Sequence, residues 1–387
     1  MSYTKQSIND LFTDILKQID ISDEMFTKAR NEYDALSKWI DKHSEGYQVS
    51  IYPQGSFALG TVIRPISNKD DYDVDLVCEL AEQYNLTSEQ LKKEVVKPWL
   101  ETYRRVDHIE EKRRCWHVEY SDVPNFHMDV IPCYLAAANT DDLPDKAIKI
   151  TEHNEEKNTY RYIPSNPKGY IDWFFSRCQV RLDAIFESYS QQNIIKEQAD
   201  IEKIKRNKVK TPLQKAIQIL KRHRDIMFEK NPDDKPISII ITTLAAQLYN
   251  NEDNIVDALN SFLDGAEAYI NDNKRNNRYY IENPSLNTEN FADKWNKHPE
   301  RAQNFFEWIH KTQEDFDIKT LQNFDRVQMG KHINDTFGQN TGRAVYKQRA
   351  ENEVKAVSDQ NLRVNPANGN ISKAGSVAIP LSHHYEE

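Results

Sequence analysis

Four aspartates fall within the six positions of "DDYDVD", residues 70–75, and Asp73 and Asp75 stand two apart in the run "YDVDLV". On a strand this spacing puts both carboxylates on one face, with Val74 and Leu76 on the other. Unpaired, the two acids would raise each other's pKa. A divalent cation removes that conflict, and hard oxygen ligands suit Mg2+, which takes one or two carboxylates together with substrate phosphates. A third acid, Asp129, interrupts the apolar alternation of "NFHMDVIP", residues 125–132, on what reads as another strand. An aspartate there costs β-propensity and desolvation unless it serves the chemistry. Beside Asp73 and Asp75 it would complete a site for two Mg2+ ions, with Mn2+ able to substitute. Such a site activates an attacking hydroxyl and stabilises the pyrophosphate that leaves in an in-line displacement.

Ser56 precedes Asp73 by seventeen residues, inside "PQGSFALGT". Gly55 lets the backbone approach a ligand closely. Ser56 brings a hydroxyl and its own N–H to a phosphate, and a helix or turn over 57–62 would add free amides. Asp70 and Asp71, following "ISNK", read as a solvated turn. Other features invite plainer readings. His117, His127 and His223 share no ligand spacing and are expected in packing or surface roles. Tyr72 suits either stacking on a base or packing. "GQNTGRA", residues 338–344, lacks the GK[ST] of a phosphate-binding loop and reads as a connection between helices.

The elements that must position these groups follow from periodicity. Residues 7–18 predict a short helix. Ser22 predicts an N-cap for a longer one, with Met25, Phe26, Ala29, Tyr33, Leu36, Trp39 and Ile40 at helical spacing. That helix is a candidate spine behind a sheet. Period-two patterning predicts strands at 47–54, 72–80, 114–120, 126–135 and 146–153. Residues 87–105 read as a helix kinked at Pro98. Beyond 165 the pattern turns helical, over 168–190, 211–229, 237–250, 253–270, 299–314 and 341–356, with an irregular C-terminal tail. Strands followed by helices predict an α+β fold. The expected division is a catalytic lobe at 1–165, a mixed sheet backed by the spine helix, and a mostly helical lobe at 166–387, with the active site in the cleft between them.

Composition narrows the alternatives. The chain has 387 residues, 29% of them charged, and a net charge of −10. An acidic chain is a poor general coater of nucleic acid, because phosphate neutralisation dominates such binding. Residues 203–224 run the other way, with nine Lys/Arg and no acid, as a solvated basic face or a local phosphate-binding surface. The longest apolar run, "ISIIITTLAAQLY" at 237–249, is shorter than the roughly 18 residues a membrane span needs. The N-terminus carries no secretory pattern. Four cysteines, at 78, 115, 133 and 178, show no CxxC spacing and read as buried free thiols in a reducing cytoplasm.

With these motifs in hand, the chain resembles the cGAS/DncV-like nucleotidyltransferases of bacterial anti-phage operons, within the polymerase-β-like superfamily. "PQGSFALGT", "DYDVDLV" and "FHMDVIPCY" match that family's catalytic lobe. "NPKGYIDWF", "TPLQKAIQILKRHRD", "KPISIIITTLAAQLY" and "NPSLNTENFADKW" match its helical lobe. The resemblance implies that Asp73, Asp75 and Asp129 bind two Mg2+, that Asp129 helps deprotonate a ribose hydroxyl, and that Gln54, Gly55 and Ser56 hold donor phosphates. It places Lys221 at a triphosphate-binding lysine and Ser238 at a phosphate-contacting serine. Read alone, Lys221 is equally a snorkelling helix lysine and Ser238 a helix N-cap. The implied substrates are NTPs, ATP among them. The implied activity is condensation into a cyclic di- or trinucleotide second messenger, in the cytoplasm of a bacterium, whose effector responds to the product rather than to the enzyme. A template-independent RNA-tailing enzyme, a linear oligoadenylate synthase and a catalytically silent nucleotide-binding scaffold remain open from the residues. The C-terminal Glu386-Glu387 departs from relatives that end in a small residue for conjugation.

Overall fold

In the computed structural model, residues 3–66, 72–120, 126–136, 144, 146–191 and 209–358 are described, with short strands at 363–364, 371–372 and 377–378. Asp70, Asp71 and the basic positions 203–208 lie outside the described residues.

Two capped helices open the chain. Thr4 caps α1 (Lys5–Ile19), and Ser22 caps α2 (Asp23–His43) by accepting from the Met25 amide at 3.1 Å. Then come β1 (Val49–Pro53), the single-turn α3 (Gly55–Leu59), which Gly60 closes at φ +67°, and β2 (Tyr72–Leu80). The helix expected over 87–105 is instead a π-helical stretch, Gln90–Val96, running into the short α4 (Lys97–Glu101). Pro98 is the second residue of α4, in the first turn, where its missing N–H costs least. Next are β3 (Val106–Glu111), β4 (Trp116–Tyr120), β5 (Phe126–Leu135), β6 (Ile148–Asn154) and β7 (Thr159–Ser165). β3 and β7 carry charged or partly exposed residues and a proline, and so send no clear strand signal.

The strands form one mixed sheet of order β1-β2-β5-β4-β3, with β6 on β5 and β7 on β6. β2 and β5 are its parallel pair. One face buries Val74, Leu76, Val118, Met128 and Val130 against Ala29, Leu36 and Ile40 of α2 and Leu91, Val96 and Leu100. Each such side chain, fully buried, contributes about 1.5–3 kcal/mol. α2 is thus the spine, and alternation turns Asp73, Asp75 and Asp129 to the other face.

The remaining chain is mostly helical: α5 (Pro167–Gln191), α6 (Pro212–Met227), α7 (Ser238–Leu248), α8 (Ile255–Asp272), a hairpin of β8 (Glu282–Asn283) and β9 (Leu286–Asn290), then α9 (Pro299–Asp315), α10 (Ile318–Asn323), α11 (Arg326–Phe337) and α12 (Gln339–Ser358). Phe174, Phe262, Phe305, Trp308 and Phe337 fill its core. Ile8, Leu11, Phe12, Ile15 and Ile19 of α1 join this helical core rather than the sheet's. The "GQNTGRA" segment is not a connecting loop beyond its first residue, because Gly338 ends α11 at φ +90° and Gln339 opens α12. Three short strands, Arg363–Val364, Ile371–Ser372 and Val377–Ala378, form a small antiparallel sheet in the tail expected to be irregular.

α6 is bolted to the loop after α3. The side-chain amide of Gln214 donates to the Leu59 carbonyl at 2.8 Å, that of Gln218 to the Val62 carbonyl at 2.6 Å, and Lys210 Nζ pairs with Asp20 at 2.6 Å. The two glutamine bonds hold α6 against the end of α3 and the residues after it, and the Lys210–Asp20 pair ties the start of α6 to the end of α1. All four cysteines are free and buried, as expected.

Candidate active site

The parallel pairing of β2 with β5 sets Asp75 opposite Asp129 and Asp73 opposite His127. β4 continues the rows, with His117 opposite Asp129 and Glu119 opposite His127. Neighbouring strands lie about 4.8 Å apart, so the carboxylates of one row are adjacent. Burial, then the negative charges of Asp129 and Asp73, push the Asp75 carboxyl up to about 7, against the opposing pull of His127 and Lys221. The repulsion that Asp73 and Asp129 exert on Asp75 is one that a hard divalent cation beside these carboxylates would relieve.

α3 abuts this cluster. The Gln54 amide donates to the Asp75 carbonyl at 2.9 Å, and Gly55 has φ +61°. A Cβ on Gly55 would lie 2.3 Å from Asp75 Oδ2. Glycine is needed twice here, for its backbone conformation and for the close approach. A cavity of about 620 Å3 opens above, lined by Gly55, Ser56, Asp73, Asp75, Lys221 and Ser238, with Arg224 and Lys235. Asp129 flanks it on β5, and Gln54 sits at its edge through the backbone bond to Asp75.

Lys221 is buried and its Nζ donates to the Thr61 carbonyl at 3.0 Å and hydroxyl at 3.2 Å. Burial, then repulsion from Arg224, push its ammonium down to about 7. It does not snorkel. Ser238 is the first residue of α7 and not its cap, which is Ile237. Its hydroxyl accepts from Arg224 Nη1 at 2.7 Å. Arg224, seen in the sequence only as part of a basic run, thus stands beside Ser238 and Lys221 in the cavity wall. The Tyr72 hydroxyl donates to the Met25 carbonyl at 3.0 Å, so the ring is chiefly packed.

His117 and His127 depart from the packing or surface role expected of them. His117 Nδ1 lies 2.9 Å from Asp129 Oδ1, and His127 Nε2 lies 2.9 Å from Asp73 Oδ1. Ligand atoms of His117, His127 and Asp129 all lie within 4.8 Å of one another. The available signal was period two: His127 shares a face with Asp129, two residues on. His223, by contrast, is buried against Trp308 and Asp315, a packing role.

A family model described as Second Messenger Oligonucleotide or Dinucleotide Synthetase domain matches residues 6–177. A protein of Roseivirga ehrenbergii named c-di-GMP synthase is 30% identical over 348 residues, 87% of each chain. The cyclic dinucleotide synthase CdnG of Bradyrhizobium diazoefficiens is 23% identical, over 87% of this chain and 85% of that one. The structure of the Bradyrhizobium CdnG with GTP superposes with a TM-score of 0.69 at 21% identity, covering 88% of this chain and 98% of that one. The Vibrio cholerae dinucleotide cyclase superposes with a TM-score of 0.58 at 12% identity, covering 89% and 99%. Among the described residues no helix is long and apolar enough to cross a membrane. The α+β architecture, the paired acidic strands and the extent of the likeness converge: the chain belongs to the cGAS/DncV-like nucleotidyltransferases and is an enzyme of nucleotidyl transfer.

Proposed function

We propose that this enzyme joins two guanosine triphosphates into a cyclic dinucleotide second messenger. Support for guanine comes from the name of the 30% identical relative, c-di-GMP synthase. The observation that carries the chemistry is the register of Asp75 with Asp129 beneath a cavity lined by Lys221, Arg224 and Ser238.

In this reading the donor polyphosphate lies along Gly55, Ser56, Lys221, Arg224 and Ser238. Charge-assisted hydrogen bonds from Arg224 and Lys235 hold its terminal oxygens. Two Mg2+ ions, with Mn2+ as a substitute that the nearby imidazoles favour, would be held by Asp73, Asp75 and Asp129 and would stabilise charge on the reacting phosphate and the leaving group. Asp129 accepts the proton of the attacking ribose hydroxyl, and His117 orients its carboxylate. The catalytic lobe runs to about residue 165, and the helical lobe supplies the cation wall. Two rounds in one site, with the linear intermediate turned over between them, close the ring and release two pyrophosphates. The product then acts on an effector in phage defence.

The test is incubation of the full chain with each labelled NTP and Mg2+ or Mn2+, followed by phosphatase and mass spectrometry. A phosphatase-resistant guanine dinucleotide that disappears in Asp73→Asn/Asp75→Asn is expected. A phosphatase-sensitive ladder would favour a linear polymerase instead.

A further inference from the structure

On the polar face of the sheet, register sets six side chains in two rows across β2, β5 and β4. One row reads Asp73, His127, Glu119 and the other Asp75, Asp129, His117. Nucleotidyl transfer uses the three aspartates. It gives His117 only the Asp129 carboxylate to orient, and it gives His127 no part. Asp73 and Asp75 line the catalytic cavity, whereas the two histidines lie outside its lining, on β5 and β4.

The two imidazole rings are in contact, with centroids 4.0 Å apart. One ligand atom each from His117, His127 and Asp129 lie within 4.8 Å of one another, and among the described residues no other three such donors gather this way. Their side chains are 16%, 13% and 24% exposed, sheltered from bulk water yet open to an entering ion. In a tetrahedral zinc site, ligand atoms about 2.1 Å from the ion stand about 3.4 Å apart, so closing the trio takes about 1.4 Å at most, a side-chain adjustment. Two imidazoles and a carboxylate are a set that zinc takes with a water in the fourth position. Mg2+ asks for oxygen ligands in near-octahedral array, and the imidazoles select against it. With His117 Nδ1 on the ion, its Nε2 carries the proton and faces Glu119 Oε1 at 3.7 Å. An outer carboxylate in that place orients a ligating imidazole.

We propose that His117, His127 and Asp129 form a Zn2+ site separate from the Mg2+ pair, and that filling it switches the enzyme off. The link between the two sites is Asp129, whose Oδ1 lies 2.9 Å from His117 Nδ1. Zn2+ on that carboxylate draws off the electron density with which it accepts the ribose proton, and repels a Mg2+ ion held by the same group. Because the histidines lie outside the cavity, added nucleotide does not displace the ion. The loss of turnover rests on the role proposed for Asp129 in nucleotidyl transfer, whereas the site itself rests only on the three donors.

Two measurements test this on the full chain. The first is equilibrium dialysis of Zn2+ in excess Mg2+ without nucleotide, beside the visible spectrum with Co2+ as a coloured stand-in. His117→Gln/His127→Gln binds one equivalent of Zn2+ fewer than wild type and loses the absorption of four-coordinate Co2+. Asp75→Asn, outside the trio, keeps both. Equal stoichiometry in wild type and the histidine variant overturns the proposal. So does an equivalent lost in Asp75→Asn and kept in the histidine variant, which would put the ion among the carboxylates alone. The second measurement is pyrophosphate release from GTP and Mg2+, with free Zn2+ set by a metal buffer. Zn2+ stops wild type whatever the GTP concentration, and the half-inhibitory Zn2+ rises about tenfold or more in the histidine variant, each protein read against its own zinc-free rate. Inhibition that GTP relieves, or that is equal in the two proteins, overturns the switch. A wild type that turns over no NTP in zinc-free Mg2+ would instead overturn the reading of the catalytic site, and the dialysis would still decide the zinc site.

Discussion

Replacing Gly55 by alanine perturbs the reaction centre through a single methyl group. At φ +61° an L-residue costs about 1–2 kcal/mol. The added Cβ would stand 2.3 Å from Asp75 Oδ2 and 3.2 Å from its Cγ. A carbon–oxygen contact needs about 3.3 Å, so roughly 1 Å must open between α3 and β2. The Asp75 carboxylate has little room to retreat, since Asp129 lies beside it in register and the Gln54–Asp75 backbone bond ties helix to strand at 2.9 Å. A misplacement of about 1 Å costs on the order of 100-fold in rate. Gly55→Ala is therefore expected to release pyrophosphate from NTPs about 100-fold more slowly than wild type. Its melting temperature should fall by only a few degrees, because the strain is local and the protein large. A pyrophosphate-release assay beside a circular-dichroism melt measures both. A folded Gly55→Ala within threefold of wild-type turnover would refute the reasoning, because the close approach would then be dispensable.

Further predictions concern charge and packing. Asp75 has its folded pKa raised to about 7, so metal-free stability is greater at low pH and declines as pH rises from about 4 through about 7. Asp75→Asn should flatten that decline and Mg2+ should reverse it at pH 8; parallel curves of melting temperature against pH for the two proteins would contradict the assignment. Lys221, pushed down to about 7 from an unfolded value near ~10.4, makes stability rise with pH across that window. Polyphosphate should pull the ammonium back to its charged form, so nucleotide binding at pH 8 takes up a proton in wild type and none in Lys221→Met. Equal binding heats in buffers of different ionisation enthalpy would count against this. Trp308 is fully buried and its indole N–H donates to His223 Nδ1 at 3.1 Å. Trp308→Ala should cost about 3–5 kcal/mol, read as a lower denaturation midpoint, and an unchanged midpoint would mean that the helical core repacks.

Much of the site was written locally in the chain. Period-two alternation placed Asp73 and Asp75 on one face, and the bounds of β2 and β5 match the segments read from composition. Ser22 announced the spine helix by its capping chemistry. Such signals are local because a side chain's facing depends only on its own strand or helix. His117 and His127 were passed over for the opposite reason. Their partnership with Asp129 and Asp73 exists only once three strands from distant positions fall into register. The same holds for α1, whose apolar stripe says that it packs but not on what. It holds too for a cavity between sheet and helices, lined by cations from residues 112–114, 161, 235, 294 and 301. Sequence by itself determined which residues face together along each element. Tertiary structure alone decided which faces meet, because strand order, register and lobe docking are set by long-range burial that no spacing within one segment encodes.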